Sequence, residues 1–130
     1  MSMNDPLANM LSKINNAEKV AKTDIIVEVY SNTILKVLNV LKDNGYIGDF
    51  EEVDNPRRKY LKINLIGKIN NCNAIKPRFA VQLENFEKFE KRFLPAKNFG
   101  ILIISTSKGI MIHHDAKKNS VGGKLLAYCY

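Results

Sequence analysis

The stretch GILIISTSKGIMIHHDAKKNSVGGKLLAYCY, residues 100–130, decides how this chain is read. GILIIST, GIMIH and GGKLLAYCY are rich in β-branched and aromatic residues and are separated by polar, glycine-containing breaks. That is the pattern of strands joined by turns. DAKKN, between the last two, predicts a short helix. The first break places Ser105, Thr106 and Ser107 in a row, followed by Lys108 and Gly109. Three hydroxyls beside a cation admit four chemistries: a nucleophile, a phosphate cradle, a nucleic-acid contact or an ordinary turn.

Working back from this block, LENFEKFEKRF predicts a charged amphipathic helix stopped by Pro95. Its Phe86, Phe89 and Phe93, spaced by three and four residues, share one face, which marks a core stripe more than a stacking platform. AIKPRF predicts a short strand that Pro77 keeps at an edge. GKINNCN, residues 67–73, is polar and turn-rich and marks a domain boundary. Before it, Asn4 or Asp5 and Pro6 open a helix carrying Leu7, Met10, Leu11 and Ile14 at helical spacing. TDIIVEVY predicts a strand. Ser31 or Asn32 caps a second helix with Ile34, Leu35, Val37, Leu38 and Leu41 on its apolar side, and Gly45 ends it. YIGDFEEV and KYLKINLI predict two strands around a DNPRRK loop. The expectation is an α+β protein of two small domains. Residues 1–70 form an α-β-α-β-β N-terminal domain, and residues 71–130 a mostly β C-terminal domain with short helices.

Composition narrows the function. The chain has 130 residues and a formal charge of +7. Residues 1–54 hold 5 lysines against 9 acids, or −4; residues 55–130 hold 15 basic groups against 4 acids, or +11. A basic second half suggests a polyanionic partner, nucleic acid first. No apolar run approaches the roughly 18 residues of a membrane helix, and MSMNDPLANM lacks the pattern of a secretory signal. A membrane is not expected as a partner. Cys72 and Cys129 match no disulfide framework or metal pattern and read as buried or half-buried thiols.

The enzyme readings fail on context. Ser105 and Lys108 fit S-x-x-K, but in penicillin-binding enzymes that serine opens a helix with the lysine one turn on. Here the serine closes an apolar strand, and the companion S-D-N and K-T-G motifs are missing. A phosphate-binding loop needs G-x-x-x-x-G-K-[ST], which neither STSKG nor VGGK supplies. His113, His114 and Asp115 are sequence neighbours, lack metal-ligand spacing and read as a helix-capping region with partly exposed imidazoles. No catalytic residue, metal or cofactor is expected. A hairpin turn accounts for Lys108 and Gly109; three hydroxyls after an apolar strand fit contacts to phosphate, ribose and base edges.

The same residues carry a resemblance. DPLANMLSKINNA resembles the opening helix, and STSKGIMIHHDAKKNSVGGKLLAYCY the C-terminal signature, of the eighth protein of the small ribosomal subunit. The likeness spans essentially the whole chain. IKPRFAVQLENFEKFEKRFLPAKNFGILIIST is closer to the archaeal and eukaryotic branch. The resemblance implies a primary binder of small-subunit ribosomal RNA, and not of DNA, that attaches to its central domain, helps organise the platform, and works in the cytoplasm beside other small-subunit proteins. It implies RNA contacts by Ser105, Thr106, Ser107, Lys108 and Gly109, and by Gly122, Gly123 and Lys124. Lys124 stands where many bacterial members carry an acid and favours phosphate. Ser31 matches a serine of an N-terminal contact loop, with Asn32 where bacterial members often have lysine. Some members also bind the messenger of their own operon. Arg57, Arg58 and Lys59 either reach phosphate or keep a hairpin tip soluble. Two other classes stand beside this reading: a small Ser/Lys hydrolase, and a protein adaptor using the Phe86/Phe89/Phe93 face.

Overall fold

The computed structural model describes residues 6–28, 30–75, 78–96 and 99–130. The fold is α+β and divides into two compact units, Met1–Asn70 and Asn71–Tyr130. The expected capping residues Asn4 and Asp5, together with Val29 of the first strand segment, lie outside the described residues.

The first unit runs α1 (Pro6–Lys19), β1 (Asp24–Val27), α2 (Asn32–Asp43), β2 (Ile47–Asn55) and β3 (Arg58–Leu65), with the antiparallel strands in the order β1-β3-β2. The apolar spacing of both helices does what it predicts. Leu7, Met10, Leu11 and Ile14 of α1 are buried, as are Ile34, Val37, Leu38 and Leu41 of α2, while Leu35 is half-buried. The sheet contributes Val27, Leu61, Ile63 and Leu65, its inward residues at period two. The expected DNPRRK loop shrinks to the two residues Pro56 and Arg57. Asn55 Oδ1 accepts the N–H groups of Arg57 and Arg58, both at 3.1 Å, so a side chain closes the turn and the strands run right up to it. Arg58 is ion-paired with Glu28 and lies over the Tyr60 ring at 5.0 Å.

α2 ends in a Schellman motif. Gly45 has φ +78°, its N–H donates to the Lys42 carbonyl, and the Tyr46 N–H donates to that of Leu41. At the other end Ser31 holds the N-cap position with φ −133° and ψ 174°, and its carbonyl accepts the Leu35 N–H at 3.1 Å. Its hydroxyl makes no capping bond. The expected cap is thus one of position and not of side-chain chemistry.

The second unit runs β4 (Cys72–Ala74), β5 (Ala80–Val81), a 3₁₀ turn (Leu83–Asn85), α3 (Phe86–Phe93), β6 (Ile101–Thr106), β7 (Gly109–Ile112), α4 (His113–Lys118) and β8 (Gly123–Cys129). The antiparallel order is β4-β8-β6-β7, with β5 also on β8. In place of one strand over AIKPRF there are two short ones flanking that region. β4 pairs with the far end of β8 and β5 with its near end; Lys76 and Pro77 lie outside the described residues. Cys72 and Cys129 face each other across β4 and β8 as buried thiols.

Phe86 and Phe89 are buried in a cluster with Val81, Leu102, Ile104 and Leu125. Phe93 stacks on Tyr128 with centroids 5.6 Å apart. Burying an aromatic ring is worth about 1.5–3 kcal/mol, which is the work of this face. It is core, and the adaptor reading falls with it. Leu94 is extended, as a residue before proline must be, and so α3 stops ahead of Pro95.

Candidate nucleic-acid interface

β6 and β7 form a hairpin whose last pair is Thr106 and Gly109, leaving Ser107 and Lys108 as a two-residue turn. Gly109 has φ +119° with open space where a Cβ would stand, so backbone conformation and not crowding requires glycine. The Thr106 hydroxyl donates to the Gly109 carbonyl at 2.8 Å and accepts the Lys108 N–H at 3.1 Å. It locks the turn from inside.

The three hydroxyls therefore have different jobs. Ser107 and Lys108 are exposed at the tip. Ser105 is half-buried and sits opposite Ile110 on β7 and Lys124 on β8. Lys124, Ser105 and Ile110 form a row across three strands with their side chains on one face. Gly123, Thr106 and Gly109 form the next row, on the opposite face.

The two glycines of VGGK explain how β8 comes so close. A Cβ on Gly123 would fall on the Ser105 carbonyl oxygen, inside the 3.0 Å that real Cβ atoms keep. One on Gly122 would fall on the Val81 carbonyl oxygen. The glycines let β6 and β5 approach β8, and the register sets the exposed Lys124 opposite Ser105. The tip and the glycine segment are thus one constellation. Ser31 and Asn32 form a separate locus in the first unit, both exposed in a groove with Glu28, Tyr30, Glu52 and Lys59. Tyr30 donates its hydroxyl to Glu52 at 3.0 Å; desolvation first, and then this bond and the Glu52 charge, raise the phenol pKa.

This geometry is wrong for a Ser/Lys nucleophile. Ser105 lies within a strand and Lys108 in the turn beyond it, so the one-turn helical spacing that brings the pair together is not formed. The HHD reading is corrected too. His113 opens α4 and is 1% exposed. Its Nδ1 accepts the Leu102 N–H at 3.1 Å, which leaves the proton on Nε2, facing Glu90 Oε1 at 3.5 Å. Lys117 also pairs with Glu90. Burial, aided by the adjacent His114, lowers the His113 pKa to about 4 despite Glu90. The imidazole is a neutral strut between β6 and α4, not a capping group. Sequence adjacency concealed this, because His113 turns inward where His114 is exposed.

With the strand order, the hairpin and its glycine-dependent neighbour in place, the family comparison decides. The family model described as Ribosomal protein S8 matches residues 5–130. The chain belongs to the ribosomal protein S8 family. It is a small-subunit ribosomal protein that binds ribosomal RNA beside other ribosomal proteins. Among the described residues no helix is long and apolar enough to cross a membrane. For a ribosomal protein S8 family member, Ile110 is the residue beside Ser105 that sequence reading passes over. Its signal is register: in a two-residue hairpin closed by Thr106 and Gly109, Ile110 must share a face with Ser105.

Proposed function

We propose that the second unit, residues 71–130, binds the central domain of small-subunit ribosomal RNA through the β6–β7 tip and the start of β8, and so helps organise the platform during assembly. The observation that carries this reading is the gathering of Ser105, Ser107, Lys108 and Lys124 around a backbone stripped of side chains at Gly109, Gly122 and Gly123. Lysines attract and hold phosphates, whereas short hydroxyls reach ribose and base edges in a shallow or distorted minor groove. Thr106 acts by positioning the turn. Ser31, with its hydroxyl unspent on capping, and Asn32 supply a second contact from the first unit. The protein works in the cytoplasm within the ribosome. A messenger fold that copies the ribosomal site would meet the same surface, and crosslinking in cells tests for one.

The test is hydroxyl-radical footprinting on small-subunit ribosomal RNA, with calorimetry on Ser107→Ala. The expected result is a footprint confined to the central domain and an affinity loss of about 0.5–1.5 kcal/mol, the net worth of a neutral hydrogen bond. A footprint elsewhere overturns the central-domain assignment. Unchanged affinity removes Ser107 from the interface.

A further inference from the structure

β1 is an edge strand of the first unit's sheet. The Leu65 N–H donates to the Thr23 carbonyl at 2.7 Å, and the register pairs Asp24 with Asn64, Ile25 with Ile63 and Ile26 with Lys62. In an antiparallel ladder, inward hydrogen bonding alternates along the strand. Ile25 and Val27 therefore turn their backbone groups toward β3, while those of Asp24 and Ile26 point outward. The Ile26 carbonyl confirms the parity: it accepts Lys13 Nζ at 3.3 Å.

This edge borders a groove of about 600 Å³ lined by the end of α1 and by β1. Two large apolar side chains stand open beside it, Val20 at 66% and Ile26 at 44% exposure. Its lining carries Lys13, Lys22 and Lys62 against one carboxylate, Asp24. The site therefore offers an outward-facing strand edge, exposed apolar footholds and a positive rim. Phosphate recognition uses the rim alone. An added strand uses all three, taking main-chain bonds from the edge and setting alternate side chains on the apolar residues.

We propose that β1 is a docking edge for an extended, acidic segment of a partner protein, added as a fourth strand of this sheet. The new strand bonds to the backbone of Asp24 and Ile26, rests apolar side chains on Val20 and Ile26, and sets its carboxylates among Lys13, Lys22 and Lys62. Lys13 guards the edge when it is empty, as charged side chains do on exposed edges, and the entering strand displaces its single exposed contact.

An acetylated and amidated octapeptide of alternating valine and glutamate, titrated into ¹⁵N-labelled full-length chain, tests this. The Asp24 and Ile26 amides are expected to shift and to gain protection from exchange, while those of Ser107 and Lys108 stay put. Lys22→Glu is expected to raise the half-saturation concentration at least threefold, and Val20→Glu with Lys22→Glu at least tenfold, with the remaining sheet amides unmoved. The proposal is overturned by absent shifts, or by equal shifts from a valine–lysine peptide. It is also overturned if octauridylate moves the same amides, which would make the groove an RNA surface. None of these outcomes depends on the RNA contacts proposed for the second unit.

Discussion

His113 ties acid stability to one buried ring. Its pKa is about 4 in the fold against an ordinary 6.5. The folded state therefore refuses a proton that the unfolded chain accepts as pH falls below about 6.5. Stability is full above that value, is lost progressively down to about pH 4 and then levels off. A shift of this size corresponds to about 3 kcal/mol at most. Urea denaturation across this range is expected to show such a loss in excess of that in His113→Gln, which carries no titrating ring. Parallel pH curves for the two proteins would contradict the assignment. Gly123 sets a different limit. Alanine there meets the backbone of β6, which has no rotamer to move into, so Gly123→Ala is expected to lower stability by about 2–3 kcal/mol. Amide spectra should report it through displaced Ser105 and Thr106 resonances.

Among the elements, α1, α2 and α4 end in one and the same way. Ala21 and Ser120, with φ 57° and 54°, sit where Gly45 sits. The Lys22 and Val121 N–H groups reach back to the Ala17 and Ala116 carbonyls. Left-handed backbone costs a non-glycine residue about 1–2 kcal/mol, and glycine returns up to about 1 kcal/mol in unfolded-state entropy. Ala21→Gly and Ser120→Gly are each expected to stabilise by about 0.5 kcal/mol, read as a raised melting temperature. Only the Gly45 terminus was legible in the sequence, because alanine and serine carry no turn signal. The same contrast runs through the fold. α1, α2 and the strands after Gly100 announce themselves by sustained period and β-branched runs. β4 and β5 are too short to show alternation. The Pro56–Arg57 turn hides inside a longer polar segment because the Asn55 side chain, not glycine, closes it. In the candidate site, residue identity singled out STSKG and VGGK, and strand pairing alone reveals that Thr106 faces away from Ser105 and Ile110 toward it.

At the scale of the whole molecule the charge is better divided by structure than at residue 54. The first unit holds 10 basic and 9 acidic groups, or +1, and the second 10 and 4, or +6. The two sum to +7, and the excess lies on the unit that carries the hydroxyl tip. Affinity for small-subunit ribosomal RNA is therefore expected to fall linearly in log–log form with salt. Lys108→Ala should reduce the slope by about 0.7–0.9, one phosphate contact. A flat salt profile would remove the electrostatic basis of binding. The proposed interface also separates into a part owned by the fold and a part left to the ligand. Gly109, Gly122 and Gly123 are fixed by backbone curvature and strand approach, whatever lies outside. Ser105, Ser107, Lys108 and Lys124 are side chains mounted on that frame. A redesign toward a different RNA can thus vary the four mounted positions freely, so long as the glycines and the Thr106 lock are left alone.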